Sequence, residues 1–349
     1  MPIIKGTSFM KLYKSFKSRL SVRKFLSLSI AFLSVKSVSA ADKVEHYVFF
    51  NRERDRITEK SFLETKQFTG AQLKYMWREL EPQKNKYDFS SIEKNLQTLQ
   101  KHGKKLFIQV QDITFSAQFK GVPRYLTKDP LYKGGVMMQQ ALKDGKLETI
   151  GWVARRWDPN VQGRFHKLLR ELGKAFDGRI AGINLPETAI DYGEDLKNMP
   201  KDFSPMKYRH AVMRNLEVMA ESFKKSIAMQ YANFMPGEWR PDNDKGHLSS
   251  VYEKAVEVGV AVGGPDLLPY RVGQMHHPYH FIPKVNQKIP VGIAVQWNNY
   301  KQINPKTKKR VTIPGLYNFG TQYLGADIIF WCTQEPFYSQ KVIPYLKKK

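Results

Sequence analysis

Carboxylates, amides and aromatic side chains recur just beyond short apolar runs of this chain. Asn51 follows the first run; Trp77, Glu79 and Glu81 follow the second; Gln111 and Asp112 the third; Glu187 the fourth, in "GINLPETAI". Tyr231 and Asn233 close the fifth run, Asp266 and Tyr270 follow the sixth, Gln296, Trp297 and Asn298 the seventh, and Trp331, Gln334 and Glu335 the eighth. Indole and phenol faces stack on the C–H faces of sugar rings, while amides and carboxylates hydrogen-bond hydroxyls, so this set suits a carbohydrate cleft. A carboxyl group kept protonated by its surroundings donates a proton to a glycosidic oxygen, and a second carboxylate then serves as base or nucleophile. Glu187 is the first candidate for the proton donor. Glu335 ranks slightly ahead of Asp266 for the second role, against plainer readings: Glu335 as an early-helix residue favoured by the helix dipole, Asp266 as a turn or helix cap.

Positioning such residues in one place requires an architecture that converges the ends of the runs. The eight runs are 46–50, 71–77, 105–111, 180–185, 227–234, 260–268, 291–297 and 326–331. Between them lie segments with apolar residues three and four apart, such as "FSSIEKNLQTLQKHG" and "VQGRFHKLLRELGKAFDG", and several stop at a glycine (Gly103, Gly178, Gly259). Nearly continuous apolar strands separated by helices pair in parallel with both faces covered. Eight such units predict an α/β fold, a (β/α)8 barrel, with the catalytic face at the strand C-termini. A doubly wound open sheet would place a glycine-rich phosphate turn after an early strand, and none occurs after 46–50 or 71–77. Two long segments, 116–159 and 298–318, fall where the barrel's functional loops lie.

The chain has 349 residues with 57 Lys or Arg against 32 Asp or Glu, a net of +25. Its start reads as an export signal: a basic stretch, the apolar "FLSLSIAFLSV", and small residues ending at Ala40. The expected organisation is therefore a cleaved signal over 1–40 and a single barrel domain over 41–349, exported to the periplasm or beyond. No stable transmembrane segment is expected after cleavage, since the apolar stretch is shorter than the ~20 residues a span requires. Residues 1–40 carry eight Lys or Arg and no acidic residue, which leaves 49 basic against 32 acidic residues in 41–349, a net of +17. That surplus suits anionic surroundings such as acidic glycans, or simply a solvated surface. No nucleic-acid-binding signature accompanies the charge. The lone Cys332 excludes an internal disulfide. "HHPYH" (276–280) lacks the spacing of a zinc site, so neither a metal nor another cofactor is expected.

The stretch "YMWRELEPQKNKYDFSSIEKNLQTLQKHGKKLFIQVQD" (75–112) resembles the strand 2 to strand 3 region of the large clan of (β/α)8 glycoside hydrolases, with a tryptophan and "LEP" before a "YDFS" turn and an "HGKK" helix end. The resemblance implies that Glu187 occupies the strand 4 acid/base position and Trp331 that of the sugar-platform aromatic. The strand-end positions themselves make Trp77, Asp112, Tyr231, Asn233, Gln296 and Trp297 candidates for substrate contacts, and Trp157 joins them from the loop after the third run. Asp112 could equally cap a loop, Trp157 of "RRWDP" could be a stacking lid or merely precede a helix, and Glu79 and Glu81 are expected to orient loops or hold Arg78. The chain departs from the clan twice. Pro186, not Asn, precedes the glutamate, and the strand 7 nucleophile position holds Gln296, with no Asp or Glu anywhere in 284–315. An amide neither attacks an anomeric carbon nor acts as a base at neutral pH. Either another carboxylate completes the pair, or the barrel binds glycans without cleaving them.

Overall fold

The computed structural model describes residues 44–193 and 195–349; the expected signal at 1–40 lies outside the described residues. All eight apolar runs are strands of one closed parallel barrel. In chain order the strands are β1 (Glu45–Asn51), β2 (Phe68–Met76), β3 (Lys105–Gln111), β4 (Ile113–Thr114), β5 (Val136–Lys143), β6 (Lys146–Ala154), β7 (Gly182–Leu185), β8 (Ile227–Tyr231), β9 (Ala261–Gly264), β10 (Val291–Val295) and β11 (Ile328–Cys332). The barrel runs β1-β2-β3-β7-β8-β9-β10-β11 and closes between β11 and β1, where Tyr47 pairs with Phe330 and Val48 with Trp331. Side chains alternate between the lumen and the helix layer, and this decides what each strand end presents. Tyr47, Phe107 and Phe330 fill the lumen with centroids 5.1–5.8 Å apart, Phe107 edge to face with both of the others. Gly182 leaves room for that plug, since a Cβ there would lie 2.5 Å from the Phe107 ring. Nearer the C-terminal mouth the filling turns polar: Gln72 Nε2 donates to Asn184 Oδ1 at 2.8 Å and to Tyr231 Oη at 3.0 Å.

The outer layer includes the helices Ser90–Lys101, Pro159–Phe176, Pro205–Ser222 and His247–Val258, each with its apolar stripe on the barrel. The Asp-Pro of "RRWDP" starts a helix: Asp158 accepts from the amides of Asn160 and Val161, with Pro159 in the first turn. The segment after β3 is not an irregular loop. It carries β5 and β6 as an antiparallel hairpin, turned at Asp144 and Gly145 (φ 49° and 75°), with β4 added to form a three-stranded sheet. Asp-Gly is the two-residue turn that matches hairpin twist. Gly151 permits the β4–β6 contact, because a Cβ there would meet the Thr114 carbonyl at 1.9 Å. Among the described residues no helix is long and apolar enough to cross a membrane.

Candidate active site

At the barrel mouth a cavity of about 200 Å³ is lined by side chains from six of the eight strands or the turns after them, Glu187 and Asp266 among them. Glu187 sits two residues beyond β7 on a segment whose backbone is held at three successive carbonyls. Gln230 Nε2 donates to Pro186 O (2.6 Å), Arg156 Nη1 to Glu187 O (2.9 Å), and Tyr208 Oη to Thr188 O (2.8 Å). Arg156 is itself fixed by both oxygens of Asp112, at 2.7 Å each, with the whole pair buried. Asn233 holds the carboxyl group. Its Oδ1 accepts from the amides of Ala189 (3.0 Å) and Phe234 (2.9 Å), which leaves its NH2 to donate to Glu187 Oε2 at 2.7 Å.

The second carboxylate, Asp266, follows β9. Its Oδ1 accepts from Asn299 Nδ2 at 2.9 Å, and Asn299 Oδ1 in turn takes the amides of Leu267 (2.8 Å) and Gln296 (3.1 Å). Burial pushes the Glu187 carboxyl up to about 7, with the charges of Asp266 and Asp191 adding to the shift while the Asn233 bond and Lys74 oppose it. Burial also raises Asp266, against the Asn299 bond and the charge of Arg271. Lys74, on β2, faces the same space, and burial brings its ammonium down to about 8. Gln109 Oε1 is buried on the cavity wall with no protein donor among the described residues.

A larger cleft of about 750 Å³ continues from the segment after Glu187. Ala189, Ile190 and Asp191 form one wall, the β5 residues Gln140–Leu142 another, and Trp239 and Arg271 the far side. Trp239 stacks on Phe234 with planes 6° apart and packs against His277, yet stays 54% exposed.

No family model matches the sequence, and no curated protein does. Among solved structures, the catalytic domain of β-amylase from Paenibacillus polymyxa aligns with a TM-score of 0.55 at 9% identity, covering 85% of this chain and 93% of that one. A polyextremophilic β-galactosidase from the Antarctic haloarchaeon Halorubrum lacusprofundi aligns with a TM-score of 0.50 at 11% identity, covering 82% of this chain and 52% of that one. Both neighbours are glycoside hydrolases. The protein has the (β/α)8 fold of these enzymes.

On that barrel the expected residues separate into two groups. Glu187, Asp266, Tyr231 and Gln296 line the cavity, and Asn233 bonds to Glu187. Glu335 does not join them; it is exposed and accepts from the hydroxyl (2.6 Å) and amide (3.3 Å) of Ser339 at the start of the last helical segment. Trp331 is fully buried on the helix side of β11, because Phe330 beside it takes the lumen position, and its Nε1 donates to His46 Nδ1 at 3.1 Å. Trp77 is likewise fully buried, against Phe165 and bonded to Glu81 Oε2 at 2.9 Å. Trp157 packs edge to face on Phe203 and is not a lid. Asp112 is a brace behind the glutamate loop and makes no cavity wall; Trp297 is exposed, outside the lining residues. Glu79 and Glu81 hold Arg54 and Arg164, not Arg78. In "HHPYH", His277 is fixed between Gly273 O and the Arg240 amide, and among the described residues no three His, Cys, Asp or Glu are grouped to hold a metal.

Lys74, Gln109, Asp191, Arg156 and Trp239 were not expected at the site. A lysine inside the apolar "AQLKYMW" and the alternating glutamines of "KLFIQVQ" were legible signals, since a polar residue mid-strand in a closed barrel must face the lumen mouth or find a partner. Removing the brace has a defined outcome. Asp112→Asn leaves Arg156 buried without its counter-charge and should lower the unfolding free energy by about 3 kcal/mol, read from urea denaturation.

Proposed function

We propose that the protein is an exported glycoside hydrolase in which Glu187 is the general acid and Asp266 the second carboxylate. The observation that carries this reading is the pair itself: two carboxyl groups on the wall of one cavity at the strand C-termini, one held near neutrality by burial and the other's charge. Glu187 Oε1 has no protein partner among the described residues, so it is free to face a glycosidic oxygen. In the reaction the Glu187 proton passes to that oxygen as the bond to the anomeric carbon breaks. The carbon is taken either by water, whose proton goes to Asp266, or by the Asp266 carboxylate and then by water. Gln109, Tyr231 and Gln296 offer hydrogen bonds to ring hydroxyls. Export is supported by the basic, apolar and small-residue order of the first forty residues.

The cavity has room for a single sugar ring, and the cleft beside it accommodates the next ones, with Trp239 as a stacking face. Trp239→Ala should leave monosaccharide binding unchanged and weaken oligosaccharide binding by about tenfold, measured by calorimetry. Gln296 in the cavity favours a second reading, a barrel that binds glycans without cleaving them. Incubating residues 41–349 with a panel of oligosaccharides and measuring both affinity and released reducing ends separates the two. Binding without release across the panel would sink the hydrolase reading.

A further inference from the structure

The cavity holds a cation, Lys74, that makes no ion pair among the described residues. Lys74 lies two residues beyond Gln72 on β2, so it points the same way, into the barrel mouth. Its Nζ sits 5.1 Å above the Phe49 ring, with no hydrogen-bond acceptor and no carboxylate in ion-pair range among the described residues. The charged groups that act on it are Glu187, on the loop after β7, and Arg52, just beyond β1. Arg52 is a second cation, exposed and stacked over Phe119 at 5.1 Å. On the opposite side Arg271, also exposed and unpaired, acts on Asp266. Glu187 must be protonated to serve as the acid, and in that state it offers Lys74 no negative charge. A partly buried ammonium with no ion-pair partner is poorly stabilised, and a bound anion relieves that cost.

We propose that the saccharide bound here carries an anionic substituent, a carboxylate or a sulfate ester, seated on the Lys74 ammonium. The inference rests on the hydrolase reading only for the identity of the ligand as a saccharide. It gives the basic surplus of 41–349 a local use: Arg52, Lys74 and Arg271 surround the mouth, whereas the two acidic groups stand at the scissile bond. An anion on Lys74 also removes the influence that holds the Glu187 proton least tightly, so an acidic ligand keeps the acid in its working form.

The test uses residues 41–349 carrying Glu187→Gln, which blocks turnover and removes the Glu187 charge from the titration. Calorimetry compares uronate oligosaccharides, sulfated oligosaccharides and neutral xylo- and cello-oligosaccharides of equal length. Acidic chains are expected to bind at least tenfold tighter than neutral ones, and whichever acidic class wins identifies the substituent. Adding Lys74→Met should erase that preference, while Lys74→Arg should restore it in part. Should Lys74→Met fold poorly, the same preference is expected to fade in the Lys74 protein as pH rises and the ammonium, held below its ordinary value by burial, loses its proton. Equal affinity for acidic and neutral chains, or an acidic preference that survives loss of the Lys74 charge, overturns the inference and leaves the hydrolase reading standing. Lys74-dependent binding of acidic chains that the unmodified protein never cleaves supports the inference and overturns the hydrolase reading. Absence of binding to every saccharide overturns both.

Discussion

Glu187→Gln is expected to lower kcat by about 10⁴-fold on any saccharide the protein cleaves, the upper range for loss of a general acid, while affinity for that saccharide stays within a few fold. The amide keeps the shape of the carboxyl group but has no proton to give. Asn233 makes the comparison clean: its NH2 is committed to position 187 because its oxygen is committed to two backbone amides, so a glutamine is received through its own oxygen in the same pose. The pH profile carries the same information in the unmodified protein. In the proposed role Glu187 works protonated, and burial raises its carboxyl to about 7, so activity should be high below that value and fall as pH rises through it. Lys74→Met, which removes a cation that favours the charged form, should move that descending limb to higher pH. A profile with no descending limb near neutrality, or a glutamine variant with normal turnover, would remove Glu187 from the reaction.

Asp266→Asn should be similarly severe, on the order of 10⁴-fold in kcat, since among the described residues Asp266 is the one carboxylate besides Glu187 that lines the cavity. Glu335→Gln should change nothing, because that side chain is exposed and engaged with Ser339. The contrast between the two variants is the decisive readout. Following the anomer of the first product by NMR then assigns the role of Asp266: inversion means it takes a proton from water, retention means it bonds to the sugar. An asparagine variant that still hydrolyses at the parent rate would leave the pair without its second member.

Much of the barrel was legible because its physics is local. A parallel strand buried on both faces must be apolar throughout, and eight such runs stand out from amphipathic helices that stop at glycine. Glu187 was legible for the same reason, as a carboxylate directly beyond a run. What the order of residues does not carry is which way a side chain turns at a strand end. Phe330 and Trp331 are both large and aromatic, and only the closed barrel decides that the phenylalanine fills the lumen while the tryptophan faces the helices. Glu335 and Asp266 differ in the same manner: both follow an apolar run, but Asp266 is turned inward by Asn299, 33 positions away, and Glu335 is drawn off by Ser339, four positions on. The hairpin at 136–154 was not read from the sequence, because its turn-side half, around Leu142–Glu148, is exposed on both faces and shows no apolar alternation.

That hairpin also ties one wall of the cleft to the segment after Glu187. The Asp191 amide donates to Gln139 Oε1 at 3.2 Å, the Gln140 amide donates to Asp191 O at 3.0 Å, and the Gly193 amide donates to Gln140 O at 2.8 Å. The insertion is thus stitched, edge to backbone, to the stretch of chain that begins at Glu187, and Asp191 is one of the charges that raise the proton affinity of that carboxyl group. Trimming it to make a minimal barrel would therefore release the chain that follows Glu187 as well as shorten a wall, so the insertion and the eight-stranded body have to be treated as one unit in any redesign.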